Sequence, residues 1–225
     1  MPEIVVALDF RSADDARRLL DRLEDLRWAK IGSVLYVREG PSIIRELQQR
    51  GIRVFLDLKW HDIPSIVAET VSVARDIGVD MATLHASGGS EMMKAAAQQS
   101  GQMRLVGVTV LTSHDGHSLR DAAGVALGGK VEDVVVRLAS NASQSGLDGV
   151  VCSAQEVGAV RELLPAGSLV VVPGIRMEGD NAVDQRRTAD PAVASRAGAT
   201  HLVVGRPVTE SPNPALALRH IAEMV

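Results

Sequence analysis

Aromatic residues are nearly missing from this chain of 225: two Trp, one Tyr and two Phe make up 2% of it. So sparse a set excludes a stacking platform for single-stranded nucleic acid, where successive bases lie on aromatic rings. Positive charge is short as well. Lys and Arg number 24 against 28 Asp and Glu, a net charge of −4 with a pI near 5.9. Nothing in that balance draws the chain to phosphate backbones, and no nucleic-acid partner is expected. The one cysteine, Cys152, cannot form an internal disulfide. It ends the apolar run Gly149-Val150-Val151-Cys152 and reads as a small buried hydrophobe. No apolar stretch approaches a membrane span, and Met1-Pro2-Glu3-Ile4 shows no basic segment ahead of an apolar one. A cytoplasmic protein without a membrane partner is the expectation. Neither a zinc-spaced Cys/His cluster nor a helical His-x-x-x-His occurs. Gly-x-Gly-x-x-Gly and Gly-x-x-x-x-Gly-Lys-Ser/Thr are absent too, so no nucleotide-cofactor fingerprint is visible.

What is there is a rhythm. Hydrophobic residues are 46% of the chain, enough for one large folded domain. Short β-branched runs recur at Ile4–Leu8, Trp28–Ile31, Val54–Leu58, Met81–Leu84, Leu105–Val110, Val150–Cys152, Leu169–Val172 and Leu202–Val204. Segments of helical period lie between them, among them 13–26, 42–49, 66–77, 131–145, 155–164, 191–197 and 214–224. Several stop at glycine, as helices do. Strand–helix alternation eight times over predicts a single (β/α)8 TIM barrel spanning residues 1–225. A doubly wound parallel sheet shows the same alternation and is the competing architecture.

In a barrel, chemistry gathers at the C-terminal ends of the strands. Those ends carry Asp9, Lys30, Asp57, Lys59, His85, Thr112, Arg176 and Arg206, with Asp62 just beyond the third. The densest stretch is Asp57-Leu58-Lys59-Trp60-His61-Asp62-Ile63-Pro64. Side chains two apart on an extended strand share a face, which predicts that Asp57 and Lys59 point the same way. A lysine among carboxylates stays protonated at neutral pH and can deliver a proton to carbon. Taken singly, these residues also fit a structural ion-pair network, a snorkelling Lys30, a helix-capping Asp9 and solvated arginines. Pro173-Gly174-Ile175-Arg176 and Gly205-Arg206-Pro207 follow the last two strands, where such barrels bind phosphate. The connection from Arg176 to Thr188 exceeds a usual βα loop and predicts a lid. Mg²⁺ could bind the carboxylates, but Lys59 competes as their counter-cation.

Asp57-x-Lys59-x-x-Asp62-Ile63-Pro64 resembles the signature of the orotidine 5′-monophosphate decarboxylase family. Ala7-Leu8-Asp9, Lys30-Ile31-Gly32, Leu84-His85-Ala86-Ser87-Gly88-Gly89, Val108-Thr109-Val110-Leu111-Thr112-Ser113 and Asp184-Gln185-Arg186-Arg187 are similar to the same family, as are Pro173–Arg176 and Val204–Pro207. The resemblance runs from about Val5 to Pro207. It implies a carboxy-lyase that converts orotidine 5′-monophosphate (OMP) to UMP and CO₂ in pyrimidine biosynthesis, with neither metal nor organic cofactor. It implies that Lys59 protonates C6, that Asp57 lies beside the departing carboxylate, and that Lys30 and Asp9 bind ribose. Thr112 would lie near the base, and Arg176, Gln185, Gly205 and Arg206 would hold the 5′-phosphate. A homodimer with shared sites is implied as well, Asp62 reaching into its neighbour. Among the departures from the family pattern, Ile66 stands where a threonine is common, Ser33-Val34-Leu35 where many relatives carry a glutamate, and Glu178 where a glutamine is. The readings set against this one are a Mg²⁺-dependent sugar-phosphate decarboxylase or aldolase, and a barrel that binds a phosphorylated ligand without turnover.

Overall fold

The computed structural model describes residues 1–123, 130–177, 187 and 189–225. Eight parallel strands close into a barrel in the order of the chain. They are β1 (Glu3–Ala7), β2 (Trp28–Gly32), β3 (Arg53–Trp60), β4 (Met81–His85), β5 (Arg104–Val108), β6 (Gly149–Val151), β7 (Leu169–Val172) and β8 (His201–Val204). The ring is completed by β1 pairing with β8, Val5 opposite Val203. The doubly wound alternative is thereby excluded. Each strand is nearly continuous in apolar residues because both of its faces are covered. Val6, Ala29, Leu56, Ala82 and Leu105 belong to the layer between strands and helices. Val5, Trp28, Phe55, Met81, Val106, Val171 and Val203 fill the barrel itself.

Helices differ from expectation mainly at their ends. The first covers Ala13–Leu20, capped by Ser12, whose Oγ accepts from Asp14 N at 3.2 Å. It stops six residues before the expected Leu26, although Leu23 and Leu26 are still buried. Helices at Ser33–Glu39, Gly89–Gln99, Gly116–Ala123 and Arg206–Thr209 were not expected. The first buries only Leu35 and leaves Val34 and Val37 exposed. It has no apolar stripe of the kind that marks a packed helix in a sequence. The second opens on glycine and serine, which read as loop residues.

Gly149 begins β6 where a Cβ would collide with the backbone of Leu169, so only glycine allows β6 and β7 that approach. Between β3 and β4 the pairing slips. Leu56 faces Ala82 and Trp60 faces Leu84, so Asp57, Leu58 and Lys59 lie opposite the single residue Thr83. Lys59 takes φ +53°, the only positive φ at a non-glycine among the described residues.

Candidate active site

A cavity of about 560 Å³ opens at the C-terminal end of the barrel. Asp9, Lys30, Asp57, Lys59, Thr112, Arg176, Gly205 and Arg206 all line it, as expected. Cys152 also reaches its wall, but burial, reinforced by Glu156, pushes that thiol up to about 12. It is no nucleophile at neutral pH, in agreement with its reading as a hydrophobe. His201 begins β8 at the opposite mouth, packed edge-on against Trp28 at 5.6 Å.

One charged chain crosses the cavity from β1 to β3. Lys30 Nζ lies 2.9 Å from Asp9 Oδ1 and 3.5 Å from Asp57 Oδ2. Lys59 Nζ donates to both Asp57 oxygens at 2.9 Å. Negative and positive groups alternate along it. Gly32 makes room: a Cβ there would stand 2.6 Å from Asp9 Oδ1 and 3.1 Å from Lys30 Nζ. Asp57 and Lys59 do meet, yet not through plain strand alternation. The slipped register and the left-handed Lys59 backbone fold the ammonium back onto the carboxylate.

Burial alone would drive these groups neutral. For Asp57 it does oppose ionisation, but the charges of Lys30 and Lys59 and hydrogen bonds from Lys59 and Thr83 prevail, so the carboxyl lies below its ordinary 3.8. For Lys30 burial opposes the charge, and Asp57 and Asp9 outweigh it, leaving the ammonium above its ordinary 10.5. The signs fix a pH window. A depressed carboxyl stabilises the fold above its unfolded pKa and loses that contribution as pH falls through the folded value. A raised ammonium stabilises below its unfolded pKa and loses it as pH rises through the folded value. The stability difference between wild type and Asp57→Asn is expected to be flat from about pH 5 to 9 and to shrink only below the ordinary carboxyl value. Urea unfolding at several pH values checks this; a difference that shrinks between about pH 5 and 7 would contradict the depressed carboxyl.

His85 ends β4 beside the array, its ring 5.5 Å from that of His61. Burial, then the neighbouring His61 and Lys59, lower it below its ordinary 6.5. It is thus neutral at pH 7, and its ring makes no hydrogen bond to the described residues.

Asp62 is exposed, and among the described residues its carboxylate accepts only from Ile63 N, at 2.6 Å. Within this chain it does not join Asp57 and Lys59. Gln185 and Glu178 lie outside the described residues. On either side of them the chain is tied: Arg176 N donates to Ala189 O at 3.0 Å and Ala189 N to Gly174 O at 3.3 Å. Arg176 Nη1 caps Ile175 O at 2.8 Å. Sequence reasoning gave no role to Arg187. It is buried, ion-paired with Glu156, and donates to the carbonyls of Val110 and Leu111 at 3.0 and 3.1 Å. It ties the chain at Arg187 to the segment that leads to Thr112. Among the described residues no three His, Cys, Asp or Glu side chains converge as metal ligands.

Comparison with known proteins agrees with this geometry. The chain is 46% identical over 226 residues to a protein named orotidine 5′-phosphate decarboxylase from Halorhodospira halophila (strain DSM 244 / SL1), covering 98% of this chain and 94% of the relative. It is 43% identical over 227 residues to the protein of the same name from Coxiella burnetii (strain RSA 331 / Henzerling II), covering 98% and 95%. The crystal structure of orotidine 5′-phosphate decarboxylase from Lactobacillus acidophilus superimposes with a TM-score of 0.88 at 33% identity, over 100% of this chain and 99% of that one. The family model described as orotidine 5′-phosphate decarboxylase / HUMPS matches residues 2–221, and to that family this chain belongs.

Proposed function

We propose that this chain is a carboxy-lyase that converts OMP to UMP and CO₂ in pyrimidine biosynthesis, without metal or organic cofactor, as one barrel domain. The observation that carries the reading is Lys59 Nζ, held at 2.9 Å from both oxygens of Asp57 in a cavity that Arg176 and Arg206 also line. The arginines suit a phosphate and the lysine suits a developing carbanion; the cavity presents both to one ligand.

The chemistry follows from the array. The bond from C6 of the pyrimidine to its carboxylate breaks, CO₂ leaves, and the electron pair stays on C6. That carbanion is poorly delocalised, so its formation is the barrier. An ammonium already fixed beside the carbon stabilises the charge with little reorganisation. Lys59 then gives a proton to C6, completing UMP, and is reprotonated from solvent. Asp57 holds the ammonium in place and faces the departing carboxylate. Lys30, on the other side of Asp57, keeps that carboxylate ionised and binds ribose together with Asp9. Thr112 lies toward the base. Arg176, Gly205, Arg206 and Gln185 take the 5′-phosphate, whose binding energy is realised at the distant reacting carbon.

The site is completed by a second copy of the chain in a homodimer. Asp62 is exposed beside exposed Ile63 and Ile66, the last in place of the family's threonine. A charged group next to apolar surface fits an interface better than free solvent. The protein works in the cytoplasm; among the described residues no helix is long and apolar enough to cross a membrane.

The direct test is the ultraviolet absorbance of OMP with purified protein and EDTA. Loss of the orotate band with formation of UMP is expected. An unchanged band in EDTA, with turnover of a sugar phosphate on adding Mg²⁺, would overturn the proposal.

A further inference from the structure

We infer that Thr83 is a positioning residue: its hydroxyl fixes both the backbone and the charge partner of Lys59. It rests on the reading of Lys59 as the acid, and deepens it. The residue is wholly buried in β4, pointing into the barrel between Met81 and His85. Its Oγ1 donates to Asp57 Oδ1 at 3.0 Å and accepts from Lys59 N at 2.9 Å. The roles are unambiguous. An ionised carboxylate can only accept and a backbone N–H can only donate, so the one hydroxyl proton goes to Asp57 and a lone pair faces Lys59.

The slipped register explains why a hydroxyl is needed at this point. Three residues of β3 lie opposite Thr83 alone. The Lys59 N–H has thereby left the regular ladder, and a side-chain oxygen takes the place of a strand carbonyl. An unpaired N–H at that depth would be costly. The left-handed backbone of Lys59, φ +53°, is itself unfavourable for a residue with a Cβ. Two anchors hold it: Thr83 at the backbone and Asp57 at the ammonium. Since Thr83 also holds Asp57, one hydroxyl sets the relation between the two. Displacement of an ammonium by a fraction of an ångström matters greatly where it must meet a carbanion.

Thr83→Val keeps the shape and removes both bonds. With OMP, kcat is expected to fall roughly 10- to 100-fold while KM stays within about threefold, because Thr83 does not line the cavity and meets neither phosphate nor ribose. Thr83→Ser restores the hydroxyl and is expected to recover most of the loss. If the Val variant does not fold by circular dichroism, Thr83→Ala is compared with Ser in its stead. A Val variant with wild-type kcat, or Val and Ser variants that lose activity together, would overturn the inference. Should wild type itself leave OMP untouched, the decarboxylase reading fails and the positioning inference is judged separately, from the crystal structure of Thr83→Val. There Lys59 is expected to leave its positive φ or to lose one of its bonds to Asp57; an unchanged Lys59 would sink the inference.

Discussion

Lys59→Ala is expected to lower kcat on OMP by at least about 10⁴-fold while leaving the barrel folded. The size follows from two losses at one atom. A preorganised charge beside a developing anion contributes about 10²- to 10³-fold, and a positioned proton donor about 10²- to 10⁴-fold. The two overlap in part, since effects at one residue do not multiply freely. Folding should survive because the truncated chain is a third exposed and Asp57 keeps Lys30 as a partner at 3.5 Å. A steady-state assay with circular dichroism alongside decides the matter. A variant within tenfold of wild type would remove Lys59 from the chemistry. Lys59→Arg tests the same point differently: it keeps the charge but gives up proton donation, a guanidinium being too weak an acid at neutral pH.

Arg206→Ala is expected to reduce kcat/KM for OMP by roughly 100-fold, the usual scale for losing a charge-assisted contact to phosphate. Arg206 opens the short helix Arg206–Thr209 directly after β8 and lines the cavity. The sharper readout is orotidine, the same nucleoside without its phosphate. Wild type should turn it over slowly, and Arg206→Ala should turn it over just as slowly, because the missing group has nothing left to meet. A loss of equal size on both substrates would instead place Arg206 in the structure of the barrel mouth. Remote binding energy used at the reacting carbon predicts that part of the fall appears in kcat.

The barrel could be read from the sequence because parallel strands buried on both faces are written as short β-branched runs, and all eight runs became strands. The charged residues at their ends were legible for the same reason: polar groups that interrupt such runs have few uses apart from chemistry. Helix ends were less legible. The segment after Leu20 keeps Leu23 and Leu26 buried without helical backbone, so an apolar spacing outlived the helix that it suggested. The site itself was legible in identity and not in geometry. Alternation predicted that Asp57 and Lys59 share a face, but a slip of register and one left-handed residue bring them together. No local sequence rule announces a positive φ at lysine. Thr83 was invisible for a related reason: threonine is an ordinary strand residue, and its two hydrogen bonds exist only across strands. Asp62, read as part of the same cluster, turns outward, since the chain leaves the barrel at Trp60.

Closure of the strand ring has a consequence for how this protein meets others. A sheet with two ends exposes rows of unpaired backbone groups, and a foreign strand can add there with little regard to sequence. Here β1 is joined to β8 and every strand has two neighbours. Among the described residues the ring has no open strand edge, so a second chain cannot join it by adding a strand. The outer surface does present large apolar side chains, Val37 at 85% exposure and Ile63 at 62% among them. Single substitutions on that surface change what it presents while the barrel that holds the charges stays as it is.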